Sequence, residues 1–457
     1  MPSRAGKGPF RAGRKAAPIA PACAYPYITS MHRTTAPNPS INDCFVAPDT
    51  LISLDQALAY LAERVTPVTG VEELSLVECP GRILAEDVVA RVTSPAFANA
   101  AMDGFAYRHA DMVGQALLVI DRIAAGHPSA RHFGANDAAR IFTGAPMPDG
   151  LDTVAMQEDC TVETRGGVEH VRLPEGLARG ANVHPVGNDF TAGQTVVKSG
   201  RRLRPQDVGM AASAGHPRLK VHRRLRVAVF STGDEVVDPG EPLKPGAIYS
   251  SNRHALMALA GGLGCAVEDL GNLPDDLGVT AEALAHAAER VDLLITTGGV
   301  SVGGEDHVRA AVERNGAIHL WRMLIKPGKP TALGHVGKAA FVGLPGYPVS
   351  AQVMFMMFAR PVILRLSGAI AEPMAPVRFR VASASSYKKS TARREFVRAR
   401  LDVGPDGGPR AKLYRVQDSS VLSSLIDSDG LVDLREDTRT IEPGTMVDFI
   451  PYAAVHW

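Results

Sequence analysis

A chain of 457 residues exceeds what one hydrophobic core usually organises, so about two to four folding units are expected. Apolar residues make up 45% and charged residues 21%, near the averages for globular proteins, which excludes a wholly disordered chain. Lys plus Arg total 49 against 48 for Asp plus Glu, leaving no basic field for a nucleic acid, so an anionic ligand must be held locally. The five cysteines, Cys23, Cys44, Cys79, Cys160 and Cys265, are scattered and form no C-x-x-C pair, which suggests neither a disulfide framework nor a zinc site and fits a reducing cytoplasm.

The first 48 residues are rich in Ala and Pro, and Arg4, Lys7, Arg11, Arg14, Lys15 and Arg33 face no acid before Asp43. They read as a disordered basic leader, or as translation starting at Met31 or a later codon; Pro9, Pro18, Pro21 and Pro26 spoil the amphipathic helix of a transit peptide. Order begins at Ser53, an N-cap serine three residues before Gln56, with Leu54, Ala57, Leu58, Leu61 and Ala62 at helical spacing. From Leu74 to about Pro185, short β-branched runs such as Ala116 to Asp121 and Val168 to Leu173 alternate with Gly, Pro and Asp, predicting a mostly β region.

From Arg223 strands and helices alternate: strand Leu225 to Ser231, helix Arg253 to Leu263, strand Val267 to Leu273, helix Ala281 to Arg290, strand Leu293 to Thr296, helix His307 to Arg314, strand Phe341 to Leu344 and helix Val349 to Leu366. This predicts a doubly wound α/β unit with a largely parallel sheet. The charge-free stretch Phe341 to Ala359 is broken by Pro345, Gly346, Pro348 and Gln352, so no membrane span is expected. After Gly368, Val377, Phe379 and Val381, then Val397, Ala399 and Leu401, alternate with arginines, predicting a closing antiparallel β unit.

In an open α/β sheet, ligands bind beyond the carboxyl ends of the strands. Here those ends carry Ser231 to Glu235, Thr296 to Asp306, and Gly343 to Ser350. The pair Gly298-Gly299 could let backbone N–H groups surround a phosphate, or could be an ordinary strand-to-helix turn. Lys326 and Lys329 on the stiff Lys-Pro-Gly-Lys-Pro turn, with Arg322 upstream, offer cations for phosphate or an oxyanion, or form a solvated turn. Glu235, Asp275, Asp276 and Asp306 offer oxygen ligands suited to Mg²⁺, or cap helices.

In order along the chain, Ala101 to Ala106 (AMDGFA), Phe142 to Pro148 (FTGAPMP), Val186 to Asp189, Ser231 to Glu235, Thr296 to Asp306, Lys326 to Pro330 and Gly343 to Ser350 resemble the signatures of the molybdopterin molybdenumtransferase family, MoeA in bacteria and the C-terminal domain of gephyrin in animals. The resemblance runs from about Leu51 to Val455. It implies a multidomain α/β plus β fold: a linker domain in two segments (49–97 and 187–222), an inserted β domain (98–186), a molybdopterin-binding α/β domain (223–370) and a C-terminal β domain (371–457). It also implies a homodimer with a shared cleft, contact with the molybdopterin adenylyltransferase of the preceding step, and exchange of the adenylate of adenylylated molybdopterin for molybdate with release of AMP and a need for Mg²⁺.

Carried onto this chain, the resemblance makes Asp103, Thr143, Asp189, Glu235, Asp275 and Asp306 the catalytic polar set, with Glu235 and Asp306 as metal ligands. Thr297, Gly298, Gly299, Ser301, Arg322, Lys326, Lys329, Pro345, Pro348, Ser350, Arg393, Arg398 and Ser419 become substrate-binding positions. The chain departs from the family pattern at Arg322, where lysine is common, and at Tyr347, where asparagine is common. Two rival readings are the adenylyltransferase, which shares the α/β core, and a scaffold that has lost the chemistry.

Overall fold

The computed structural model describes residues 51–111, 114, 116–299 and 307–456, so the expected basic leader lies outside the described residues. The capping signal marks the first helix: Ser53 Oγ accepts from the Gln56 N–H at 3.2 Å, the Gln56 side chain accepts from the Ser53 N–H at 2.9 Å, and helix Leu54–Arg64 follows. This helix, placed by sequence in the linker segment, packs against the α/β core. Its apolar stripe of Leu54, Ala57, Leu58 and Leu61 packs into one cluster with Val227, Ile295 and Leu366, and strand Leu51–Ile52 pairs parallel with Arg322–Met323.

The α/β unit is a seven-stranded sheet in the order Leu51–Ile52, Gly316–Met323, Pro330–Val336, Ala339–Leu344, Leu293–Thr297, Arg226–Thr232, Ala266–Leu273. The last four strands run parallel, while Gly316–Met323 and Pro330–Val336 form an antiparallel extension joined through the Lys-Pro-Gly-Lys turn. Along Arg226–Thr232, Val227 and Val229 feed a core with Leu293 and Ile295, whereas Ala228 and Phe230 feed the opposite one with Leu294 and Phe341. Burial on both faces is why these strands read as continuous apolar runs.

Helix Pro348–Leu366 is long and apolar enough to cross a bilayer, yet most of it is buried inside the protein. It widens into a π-turn over Phe355–Ala359, with the Arg360 N–H reaching back to Phe355 O. Pro361 follows at once; it lacks an N–H and its ring crowds the preceding turn, so a local widening accommodates it.

A three-stranded sheet of Val71–Ser75, Arg218–His222 and Ile83–Leu84 lies between this unit and an inserted six-stranded β sheet. The chain enters and leaves that insertion on paired strands, Val88–Val89 with Thr195–Val197 and Asn99–Ala100 with Val183–His184. The C-terminal sheet is also six-stranded and not purely antiparallel. Phe379–Ser383 runs parallel to Pro409–Leu413, and Ile325–Lys326, from the α/β segment, adds a parallel edge beside Arg394–Glu395. The buried Arg394 ties the units together by pairing with Asp433 at 2.6 Å and with Asp55 of the first helix at 2.8 Å.

The passage from the linker sheet into the central strand is clamped by Asp292, which accepts hydrogen bonds from Arg223 at 2.6 and 2.8 Å and from Arg226 at 2.9 Å. Burial alone would raise this carboxyl, but the two arginines outweigh it and pull its pKa to about 2. A carboxyl depressed on folding stabilises fully above its unfolded pKa and loses that contribution as pH falls through the folded one. Asp292→Asn should therefore cost about 2 kcal/mol at pH 7, roughly halving by pH 3, in urea titrations at the two pH values. A deficit that stays constant with pH would show that the clamp does not depend on charge.

Candidate functional site

The parallel strands leave a topological switch point. From Arg226–Thr232 the chain steps to Ala266–Leu273 on one side, then crosses back to Leu293–Thr297 on the other. Adjacent loops diverge there and open a crevice. The crevice is present as a cleft of about 320 Å³ lined by Ser231, Thr232, Glu235, Tyr249, Ser250, Ser251, Asn252, Thr297, Gly298, Gly346, Pro348, Ser420 and Leu422, among others. Glu235, Thr297, Gly298 and Pro348, singled out from the sequence, thus share one wall system.

Three loops are fastened by one amide. Asn252 Nδ2, at the start of helix Asn252–Gly262, donates to Thr297 Oγ1 at 2.9 Å and to Gly346 O at 2.7 Å, while Thr297 Oγ1 donates to Pro345 O at 3.1 Å. Ser231 and Ser250 hydroxyls lie 3.1 Å apart in the same wall. Asn252, Ser250 and Ser251 were not singled out from the sequence. Their signal was a polar Ser-Ser-Asn run opening a helix, which is indistinguishable from a routine cap without the sheet order.

Glycine is required at two places around the cleft. At Gly299, φ is +63° and a Cβ would come within 2.4 Å of Val308 Cγ2, so the turn lies directly on helix His307–Asn315. At Gly233, φ is +122° and a Cβ would strike the Glu235 carboxylate, which folds back over that backbone. The Gly298 N–H donates to Leu344 O at 3.1 Å, so this donor of the turn faces the neighbouring strand and not a ligand. The reason for the glycine pair is therefore at least as much close packing as an anion cradle.

Asp275 sits beside the Glu235 loop, where its carboxylate and that of Asp234 each accept from the other's backbone N–H at 3.4 Å. The helix cap is Asp276, which accepts from the Val279 N–H at 2.8 Å. Among the described residues there is no cluster of three or more His, Cys, Asp or Glu able to hold a metal. Asp306 and Ser301 lie outside the described residues, as does the Arg322 side chain.

A second group forms where the α/β and C-terminal sheets join. Lys326 Nζ donates to Ser390 Oγ at 3.2 Å and pairs with Glu395 at 3.5 Å, and Arg393 donates to Ile325 O at 3.3 Å. The turn that follows packs on the helix opening at the cleft: a Cβ at Gly328 would meet Met354 Cγ at 2.4 Å, with Ser350 O at 3.7 Å. Ser350 is buried there, whereas Lys329 is exposed. Arg398, only 1% exposed, points inward; it donates to Ser424 Oγ at 3.1 Å and Asp418 O at 2.9 Å and so shapes the loop of Ser419 and Ser420. Ser419 accepts from the Val349 N–H at 3.1 Å through its backbone carbonyl.

Asp103 and Thr143 form a third group on the inserted β unit. The Thr143 N–H and hydroxyl both donate to Asp103 Oδ1 at 2.8 Å, and these bonds, the backbone one first, hold the Asp103 carboxyl below the usual carboxylate range. Asp189 is exposed on the Pro185–Asp189 turn, its N–H donating to Ser94 O at 3.0 Å. None of these three lines the switch-point cleft.

Residues 52–215 match the family model described as MoeA N-terminal region (domain I and II), 228–365 the model of a probable molybdopterin binding domain, and 380–452 the MoeA C-terminal region (domain IV). The chain is 36% identical over 403 residues to a molybdopterin molybdenumtransferase of Haemophilus influenzae, covering 88% of this chain and 99% of that one. It is 32% identical to one of Bacillus subtilis, covering 83% and 89%. A crystal structure of the molybdopterin biosynthesis MoeA protein of Pyrococcus horikoshii superposes with a TM-score of 0.70 at 30% identity, covering 88% of this chain and 99% of that one.

Removing the Asn252 amide should free the loops it joins. In Asn252→Ala, each lost hydrogen bond is worth about 1 kcal/mol, so backbone amides over 296–299 and 344–347 should exchange with deuterium roughly five- to thirtyfold faster. Unchanged exchange there would show that the loops hold their places without Asn252.

Proposed function

This chain belongs to the molybdopterin molybdenumtransferase (MoeA) family of enzymes in molybdenum cofactor biosynthesis, and from that premise we propose that it exchanges the adenylate of adenylylated molybdopterin for molybdate and releases AMP. The observation that carries the reading is the switch-point cleft, where the Glu235 carboxylate shares a wall with the Gly298 turn and several hydroxyls. A phosphorylated pterin needs donors to its phosphate and an acidic group for an accompanying cation, and this wall offers both. The Gly-rich turn shapes the wall against which the phosphate lies, its Thr297 hydroxyl and Gly298 N–H being held by Pro345 O and Leu344 O, and the serine hydroxyls of the same wall, Ser231, Ser250 and Ser251, are the donors proposed for it. Pro345 and Pro348 stiffen the facing loop and take no part in the chemistry.

Lys326, Lys329 and Arg393, with Arg322 upstream, are the proposed cations for the incoming oxyanion, and a fixed positive group is what a dianion needs in order to leave water. Mg²⁺ takes one or two protein carboxylates and completes its shell with water and phosphate oxygens, a demand that Glu235, with Asp275 beside its loop, fits without a dedicated cage, and the family resemblance is what adds Asp306 to the proposed set. When bound, Mg²⁺ would neutralise charge on the diphosphate and ease departure of the adenylate. Asp103, Thr143 and Asp189 lie away from the cleft in a single chain, and the proposed homodimer supplies them from a second copy. Contact with the adenylyltransferase would deliver the substrate. Cys79, Cys160 and Cys265 are free thiols, in keeping with the proposed cytoplasmic location.

AMP release from adenylylated molybdopterin should require added molybdate, and Glu235→Gln should lower it about a hundredfold, the scale of losing one charge-stabilising group. The rival adenylyltransferase reading predicts instead that the protein adenylylates molybdopterin from MgATP. That product, or AMP release indifferent to molybdate, would overturn the proposal.

A further inference from the structure

A carboxylate that the proposed chemistry leaves unused sits directly behind the oxyanion lysine. Glu395 is 1% exposed, and it accepts from Tyr387 Oη at 2.8 Å and from Thr391 Oγ1 at 3.2 Å. Neutral donors satisfy lone pairs but leave the negative charge, and a buried charge without a cationic partner is strongly unfavourable. The cation in ion-pair contact with it is Lys326, whose Nζ lies 3.5 Å from Glu395 Oε2 and whose Cα is its direct partner in the parallel pairing of Ile325–Lys326 with Arg394–Glu395, while the buried Lys389 also feels its charge but donates to the Leu434 and Arg435 carbonyls.

An ammonium has three N–H donors on a flexible four-carbon stem. One is taken by Ser390 Oγ at 3.2 Å and one is drawn toward Glu395, while the lysine side chain remains 33% exposed. Two fixed partners therefore determine where the third donor points. We infer that Glu395 is a positioning residue for Lys326: from the C-terminal sheet it holds the ammonium so that its remaining N–H is presented to the tetrahedral oxyanion. The inference rests on the oxyanion role proposed for Lys326. It gives the C-terminal unit a part in the reaction that acts through charge placement, apart from any contact with substrate. The strand pairing at Ile325–Lys326 is made by backbone groups, so the join between the sheets does not itself need the ion pair.

The test uses the full chain and measures AMP release from adenylylated molybdopterin over a range of molybdate concentrations, for Lys326→Gln, Glu395→Gln and the double variant, with a thermal transition recorded for each. Glu395→Gln should raise KM for molybdate about tenfold, leave kcat within about twofold, and make Lys326→Gln no worse when combined with it, since coupled residues are not additive. Glu395→Asp, which keeps the charge but retracts it by one methylene, should fall between parent and Gln and covers the case in which Gln destabilises the sheet. Additive effects of the two substitutions, or a Glu395→Gln variant with parental KM, would overturn the inference. A Lys326→Gln variant with parental KM would instead overturn the oxyanion role on which it rests.

Discussion

The side-chain amide of Asn252 is the point on which the cleft depends. Parallel strands end with their carbonyls and loops splayed apart, and nothing in the ladder itself fixes the spacing of those loops. Asn252 donates at once to the Thr297 hydroxyl and to the Gly346 carbonyl, so the loops after two neighbouring strands are held to the helix that follows a third. The result is a wall of defined shape in which Glu235 and the Gly-rich turn face a common space. Gly299 and Gly233 then serve this arrangement by allowing close approach, the first to Val308 and the second to the Glu235 carboxylate.

The second constraint is the sharing of one segment between two sheets. Gly316–Met323 and Pro330–Val336 belong to the α/β sheet, while Ile325–Lys326 between them is an edge of the C-terminal sheet. A cation placed there answers to both units. Lys326 is set by Glu395 and Ser390 on one side, and the turn after it rests on the helix that opens at the cleft on the other. Together with the Arg394 pairs to Asp433 and Asp55, this makes the C-terminal unit continuous with the α/β unit and not an appended module.

Much of the fold could be read from residue patterns because the relevant physics is local. The Ser53–Gln56 capping box, the all-apolar strands of the parallel sheet and the helices between them each carry a signal within a short window. What could not be read depends on distant partners. The antiparallel extension at Pro330–Val336 is paired on both sides, by Gly316–Met323 and Ala339–Leu344, and the first helix packs on the α/β core through a stripe whose partners, such as Val227 and Leu366, lie far along the chain. The site shows the same division. Glu235, Thr297 and Gly298 were visible as loop residues at strand ends, whereas Asn252 and Glu395 owe their roles entirely to what stands opposite them. Arg398 looked like a cleft residue by its motif, but its guanidinium is held by Ser424 and Asp418.

We propose that the separated groups, the Asp103–Thr143 pair and the Glu235 cleft, are halves of a single site built by two copies. Mixing two inactive variants, Asp103→Ala and Glu235→Ala, under conditions that let subunits exchange is the most direct measurement of it. A site shared between copies predicts that AMP release, absent from each variant alone, returns in the mixture, because some mixed dimers hold one cleft with both halves intact. A mixture as inactive as its components, with exchange shown to have occurred, would contradict the account.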